Sequence, residues 1–163
     1  KGFLYTGLMI KENEPYLIEY NIRMGDPECQ VLMMRLKTNL FDIMKAAENN
    51  SLKNIKIDWR ENVCMTIVLC SEGYPGKYKK NSKIKNLEKV IQDRENQVFH
   101  AGTYEKNQKI FSSGGRVLNI TVVEKNLLLS RKKCLENLKK INWIDGFFRK
   151  DIGWRAIDKY ESY

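Results

Sequence analysis

The sequence predicts an α+β chain in two parts, and three observations predict it. Two alternating, strand-like runs flank a turn near the start. Two stretches of helical apolar spacing follow. Beyond a polar connector, several more strand-like runs lead to one long amphipathic helix. The first part, residues 1–58, reads as antiparallel strands plus helices. The second, residues 59–163, reads as a small mixed α+β domain.

The elements follow in order. Phe3 to Ile10 and Tyr16 to Ile22 alternate as strands, and Lys11-Glu-Asn-Glu-Pro15 supplies a hairpin turn. Asp26-Pro27-Glu28 reads as an N-cap, a proline at the first helical position and an acid in the first turn, opening a short helix to Leu36. Asn39 is placed to cap a second helix, Leu40 to about Glu48, with Asp42 completing a capping box. Asn49-Asn50-Ser51 ends it, and a polar connector runs to about Asp58. Val63 to Cys70 is a largely apolar strand followed by the tight loop Ser71-Glu-Gly-Tyr-Pro-Gly76. Val98 to Ala101, Lys109 to Ser112 and Val117 to Val123 are further strands, punctuated by Gly102 and Gly114-Gly115. Leu127, Arg131, Cys134, Leu135, Leu138 and Ile141 share helical spacing, with Lys132, Lys133, Lys139 and Lys140 mostly outside. Residues 147–156 return to an extended or turn-like pattern. No internal repeat or low-complexity segment interrupts the chain.

Composition narrows the function classes. At 163 residues with 42% hydrophobic content, the chain can build a packed core, and no apolar run approaches the roughly 20 residues of a membrane-spanning helix. The start, Lys1-Gly-Phe-Leu-Tyr5, has neither an initiator Met nor a signal-peptide pattern and opens almost inside a strand, so a piece of a longer protein is expected. Cys29, Cys64, Cys70 and Cys134 show no C-x-x-C pairing and His100 is the single histidine, which argues against a Cys/His zinc site. Four buried thiols in a reducing, cytoplasmic setting are expected. A formal charge of +9 suits an anionic nucleotide or nucleic acid, yet Lys outnumbers Arg and only Lys77 to Lys83 forms a dense basic cluster, read as a solvated loop.

The stretch richest in chemistry is Leu17-Ile-Glu-Tyr-Asn-Ile-Arg-Met-Gly-Asp-Pro-Glu-Cys-Gln30. Strand alternation places Glu19, Asn21 and Arg23 on one face. A carboxylate and an amide oxygen are hard ligands of the kind Mg²⁺ takes, and a guanidinium suits phosphate or carboxylate. This strand runs into a helix start at Gly25-Asp26-Pro27-Glu28, and the combination predicts a site for a metal-bound polyanion. Downstream, Arg116 follows two glycines that permit close backbone approach; it reads either as an anion-binding group or as a surface residue in a turn. Asp26 reads either as the helix cap or as a ligand-positioning group. His100 reads as a structural residue, and Trp59, Trp143 and Trp154 as packing residues.

Tyr16-Leu-Ile-Glu-Tyr-Asn-Ile-Arg-Met-Gly-Asp-Pro-Glu-Cys-Gln30 resembles the signature of the glycinamide ribonucleotide synthetases, the phosphoribosylamine–glycine ligases of the ATP-grasp superfamily. Biotin carboxylase relatives share E-x-N-x-R but continue differently, so Gly-Asp-Pro-Glu separates the two. Ser71-Glu-Gly-Tyr-Pro-Gly-Lys-Tyr78, Val98-Phe-His-Ala-Gly-Thr103, Ser113-Gly-Gly-Arg-Val-Leu-Asn119 and Phe148-Arg-Lys-Asp-Ile-Gly-Trp-Arg-Ala156 resemble that family's C-terminal domain in the same order. Met24 departs from the Phe or Leu the family more often carries, a change that touches packing and not the polar groups.

The resemblance implies that residues 1–58 are the C-terminal portion of an ATP-grasp domain and residues 59–163 the synthetase's C-terminal domain. It implies that Glu19 and Asn21 bind Mg²⁺ or Mn²⁺ on the phosphates of ATP, and that Arg23 stabilises the transferring phosphoryl group. It makes Gly25, Asp26 and Glu28 candidates for positioning glycine, and Gly114, Gly115 and Arg116 for the phosphate of 5-phosphoribosylamine. The implied partners are ATP, glycine and 5-phosphoribosylamine, with no nucleic acid and no membrane. The implied setting is cytoplasmic de novo purine biosynthesis. Lacking the upstream part of the family's active site, the isolated chain is expected to be inactive. Two other readings stand beside this one: a different ATP-grasp carboxylate–amine ligase, and a basic nucleic-acid-binding module.

Overall fold

The computed structural model describes residues 1–160, which form two compact units, Lys1–Arg60 and the residues from Glu61 on. The first unit begins with a hairpin of β1 (Tyr5–Lys11) and β2 (Glu14–Asn21). Its turn is tighter than the predicted five-residue one, because Glu12 and Asn13 alone make it, both with positive φ (53° and 65°). A two-residue hairpin demands that left-handed backbone, which Asn tolerates well. Pro15 therefore lies inside β2, opposite Ile10. The hairpin is a two-stranded sheet, so the proline's missing N–H costs no ladder bond on the outer edge.

Helix α1 (Glu28–Arg35) follows, and here the capping expectation is corrected. Pro27 itself holds the cap position, one residue later than predicted, and a proline side chain has no acceptor, so no side-chain cap bond forms. Asp26 is thus not the helix cap. In α2 (Leu40–Glu48) Asn39 is the cap, but it accepts from the Phe41 N–H at 2.9 Å and not from the Asp42 N–H, so the capping box expected with Asp42 is not what closes this end. The connector after α2 is tied back to α1, with the Arg60 N–H donating to the Arg35 carbonyl at 2.8 Å and the Asp58 N–H to Thr38 Oγ1 at 2.7 Å.

The second unit is built on an antiparallel sheet in the order β5-β8-β3-β9, from β3 (Val63–Ser71), β5 (Asn96–His100), β8 (Arg116–Glu124) and β9 (Gly146–Phe147). A smaller sheet, in the order β4-β7-β6, combines β4 (Lys83–Ile84), β6 (Thr103–Lys106) and β7 (Lys109–Ser112). Helix α3 (Leu127–Lys140) covers one face of the larger sheet. Its Ser130 Oγ donates to the Val122 carbonyl at 2.6 Å, and Cys134 packs against the Met65 and Ile120 carbonyls. Asn126 caps it through the Leu129 N–H. The core gathers Met65, Ile67 and Leu69 from β3, Leu118, Ile120 and Val122 from β8, Val98, Cys134, Leu138 and Trp143.

Two expectations are corrected, and one strand is added. Residues 154–160 form α4 (Trp154–Tyr160), not an extended tail; a positive φ of 82° at Gly153 starts the turn and Ile157 is buried. Thr103–Lys106 is a strand despite its polar composition, because it is paired along one edge with β7. Of the four cysteines only Cys134 is fully buried; Cys29, Cys64 and Cys70 are half-buried, and all four are free thiols. Burial pushes the Cys134 thiol up to about 12. Trp143 is in the core, whereas Trp59 and Trp154 keep 39% and 46% of their surface exposed. Among the described residues no helix is long and apolar enough to cross a membrane.

Candidate active site

The candidate residues fall into two clusters, one in each unit. In the first unit, the β1–β2 register sets Tyr5 opposite Asn21 and Gly7 opposite Glu19, so the four share one face of the hairpin. Asn21 Nδ2 donates to Glu19 Oε1 at 3.0 Å, which holds the amide and the carboxylate side by side. Arg23 does not continue the pattern. Strand β2 ends at Asn21, the backbone bends, and Arg23 Nη1 donates to the Met24 carbonyl at 2.8 Å beside Leu4 and Tyr5. Alternation therefore brings together two of the three predicted side chains, and the bend redirects the third.

The corner after Arg23 is crowded. The Cys29 N–H donates to the Gly25 carbonyl at 2.9 Å, closing the first turn of α1. A Cβ on Gly25 would lie 2.4 Å from Glu28 Oε2 and 3.1 Å from Tyr5 Cε2, so only glycine lets those two groups meet over it. The Tyr5 phenol lies within reach of the Glu28 carboxylate and also feels Glu19. The Glu28 charge, followed by partial burial, raises the Tyr5 phenol above its ordinary value of 10.0, because a phenolate beside carboxylates is disfavoured. Tyr5 lies outside the sequence motif, and its only signal is its position two residues before Gly7 on the strand facing Asn21.

The pattern implies a divalent metal, whose coordination geometry sets what the donors must offer. Adjacent oxygens in an octahedral Mg²⁺ shell lie about 2.9 Å apart, for bonds of roughly 2.0–2.1 Å. In the structure the atom 3.0 Å from Glu19 Oε1 is the Asn21 amide nitrogen, so the amide would turn over to set Oδ1 beside the carboxylate on a shared ion. One carboxylate and one neutral amide fill part of such a shell and leave the rest to phosphate oxygens and water. Among the described residues no three His, Cys, Asp or Glu side chains cluster into a closed metal cage. The residues fit an open, oxygen-lined site.

In the second unit, three separated sequence motifs converge. Ser71 Oγ donates to the Gly114 carbonyl at 2.8 Å, and the Ser71 N–H to the Gly115 carbonyl at 2.8 Å. The Ser113 N–H donates to the Gly102 carbonyl at 2.7 Å, and the Gly102 N–H to the Arg116 carbonyl at 3.0 Å. The Tyr74 ring lies against Gly115: a Cβ there would come within 2.1 Å of Tyr74 Cδ2. Arg116 opens β8, opposite Cys70, where its charge favours the thiolate while burial, the larger effect, raises the thiol's pKa. His100 is exposed, with Nδ1 hydrogen-bonded to Thr103 Oγ1 at 2.9 Å. The loop Ser71–Gly76, assigned only a turn by its sequence, thus braces the glycine pair that precedes Arg116.

The family described as "Phosphoribosylglycinamide synthetase, C domain" matches residues 64–155. The chain belongs to that family. The corresponding "ATP-grasp (A) domain" matches residues 1–29, the hairpin and the corner after it. The phosphoribosylamine–glycine ligase of Brucella melitensis is 46% identical over 161 residues, 99% of this chain and 38% of that protein. The chloroplastic ligase of Arabidopsis thaliana is 46% identical over 160 residues, covering 96% of this chain and 30% of that protein. The trifunctional purine biosynthetic protein adenosine-3 of Gallus gallus is 41% identical over 157 residues, only 16% of its length. The crystal structure of the Thermotoga maritima phosphoribosylamine–glycine ligase superposes with a TM-score of 0.72 at 29% identity, covering 93% of this chain and 37% of that one. The chain thus spans well under half the length of these relatives.

Proposed function

We propose that this chain carries the metal-binding strand and the C-terminal domain of a cytoplasmic ATP-dependent ligase of purine biosynthesis. Its reaction joins glycine to 5-phosphoribosylamine, giving glycinamide ribonucleotide, ADP and phosphate. The observation that carries this reading is the Glu19–Asn21 pair at 3.0 Å, at the end of a strand that turns into Gly25-Asp26-Pro27-Glu28.

The chemistry explains the residues. Phosphorylating a carboxylate brings two anions together, and Mg²⁺ or Mn²⁺ bound with ATP offsets the charge that develops. Glu19 and Asn21 would hold that ion; Asn21 adds an oxygen without a further negative charge against the polyphosphate. Arg23, freed from the Met24 carbonyl, would stabilise the transferring phosphoryl group. Gly25, Asp26 and Glu28 would hold glycine, with the Glu28 carboxylate suited to its ammonium group. Glycine's carboxylate oxygen takes the γ-phosphoryl group and ADP leaves. The amine of phosphoribosylamine then attacks the acyl carbon, phosphate departs and the nitrogen loses a proton. Gly114, Gly115 and Arg116 would receive the phosphate of phosphoribosylamine.

The test is a chimera joining the upstream region of the Brucella melitensis ligase to this chain. It should release phosphate from ATP on addition of glycine and phosphoribosylamine, and Glu19→Ala should lower that rate at least a thousandfold. Near-normal turnover by Glu19→Ala would remove Glu19 from the metal site. Phosphate release with a different acid, and none with glycine, would instead mark another carboxylate–amine ligase.

A further inference from the structure

We propose that Tyr5 is a positioning residue that fixes the Glu28 carboxylate over Gly25, where Glu28 receives the amino group of glycine and stays out of the metal-binding pair. This rests on the reading of Glu28 as a glycine-holding group.

Three observations converge on Tyr5. It stands directly opposite Asn21 in the hairpin register, so it shares the face that bears Glu19 and Asn21. Its phenol lies within reach of the carboxylate of Glu28, the first residue of α1. Its ring edge and the Glu28 carboxylate both close on Gly25, at 3.1 and 2.4 Å from where a Cβ would stand. The body of the ring lines an apolar pocket with Phe3, Leu4, Met24, Leu32 and Trp59, which holds the phenol in register with the helix start.

The identity of the anchoring group matters. Glu19 and Glu28 both lie within electrostatic reach of one phenol. An unanchored Glu28 could swing toward a divalent ion at Glu19 and place a second full charge against the polyphosphate. A lysine or arginine anchor would hold Glu28 but neutralise it, and the carboxylate would lose its attraction for an ammonium group. A phenol donates one hydrogen bond and adds no charge, so Glu28 is oriented and remains an anion.

The chimera described above provides the test. Tyr5→Phe removes only the hydroxyl; it should raise the KM for glycine about tenfold, the worth of a hydrogen bond to a charged group. The kcat and the KM for MgATP should stay within about twofold. Added to Glu28→Gln, Tyr5→Phe should change the glycine KM by less than about twofold, because the partner it orients is already neutral. Gly25→Ala, whose methyl group crowds both Glu28 Oε2 and the Tyr5 ring edge, should also raise the glycine KM. An unchanged glycine KM in Tyr5→Phe, with a raised one in Glu28→Gln, overturns the proposal and keeps the reading of Glu28. An unchanged glycine KM in Glu28→Gln overturns that reading and the proposal with it. A fall in kcat with a rise in every KM would make Tyr5 a general packing residue and overturn the proposal.

Discussion

Strands β2 and β8 are of nearly equal length and both pair antiparallel, yet their surroundings are opposite. From Val117 to Val123 no side chain of β8 keeps more than 2% of its surface exposed. In β2, Ile18 and Tyr20 each keep 62%, and Ile22 just beyond it keeps 90%. The cause is the number of neighbours. β8 has a strand on each side and α3 across one face, whereas β2 pairs with β1 alone. A two-stranded hairpin buries little by itself and is marginal in isolation. The comparison teaches where the stability of this chain resides. The second unit is held by its sheet core, while the Glu19–Asn21 pair sits on a strand that contributes little burial and leaves its polar face accessible.

The largest test of that contrast is a pair of isoleucines. Ile120 is fully buried in the core cluster, beside Ile67 of β3 and Val98 of β5, so Ile120→Ala should cost about 2–5 kcal/mol. Ile18→Ala, at a position 62% exposed, should cost less than about 0.5 kcal/mol. Urea unfolding of the chain, followed separately by probes in each unit, measures both. Equal losses at the two positions would break the contrast.

A smaller effect is expected within the second unit. Gly115→Ala drives a methyl group into the Tyr74 ring, and overpacking of that kind should cost about 1–3 kcal/mol. Tyr74→Ala should relieve most of the collision, so the double variant should be more stable than the sum of the two single losses. Strict additivity in thermal melts would show that Tyr74 and Gly115 do not brace each other.

Much of this was legible in the sequence because it depends on local pattern. The hairpin, the two early helices, the Asn39 cap, β3, β8 and α3 all follow from periodicity and capping chemistry over a few residues. What stayed hidden depends on partners far along the chain. Thr103–Lys106 carries no apolar alternation and is a strand only because β7 runs beside it. The helix at Trp154 is set by Gly153 and by the docking of Ile157, neither visible as a period. The pairing of Glu19 with Asn21 was readable from alternation, but the bend that redirects Arg23 was not. Tyr5 lay outside the motif altogether; the hairpin register sets it opposite Asn21, and the corner at Gly25 brings Glu28 toward it. The convergence of Ser71, Gly102 and Gly114 spans more than forty residues and needed the β3–β8 pairing to appear.

The smallest expected effect separates a structural carboxylate from an exposed ion pair. Asp145 accepts from Ser82 Oγ at 2.7 Å and from Lys79 Nζ at 3.1 Å, and Trp143 Nε1 donates to the same Ser82 oxygen at 3.1 Å. The Ser82 bond, then the Lys79 bond, hold the Asp145 carboxyl below its ordinary value of 3.8. A depressed folded pKa gives stability that is present above the unfolded value and is lost as pH falls through the folded one. The stability gap between the native chain and Asp145→Asn should therefore stay level from about pH 7 to 5 and close below 3.8. In the first unit, Lys37 and Asp58 pair at 3.7 Å with side chains 51% and 63% exposed. Lys37→Ala should shift stability by less than about 0.5 kcal/mol near neutral pH, because water screens such a pair. A pH-independent gap for Asp145→Asn, measured by urea titration across that range, would mean that the ionised carboxylate does not organise Ser82 and Trp143.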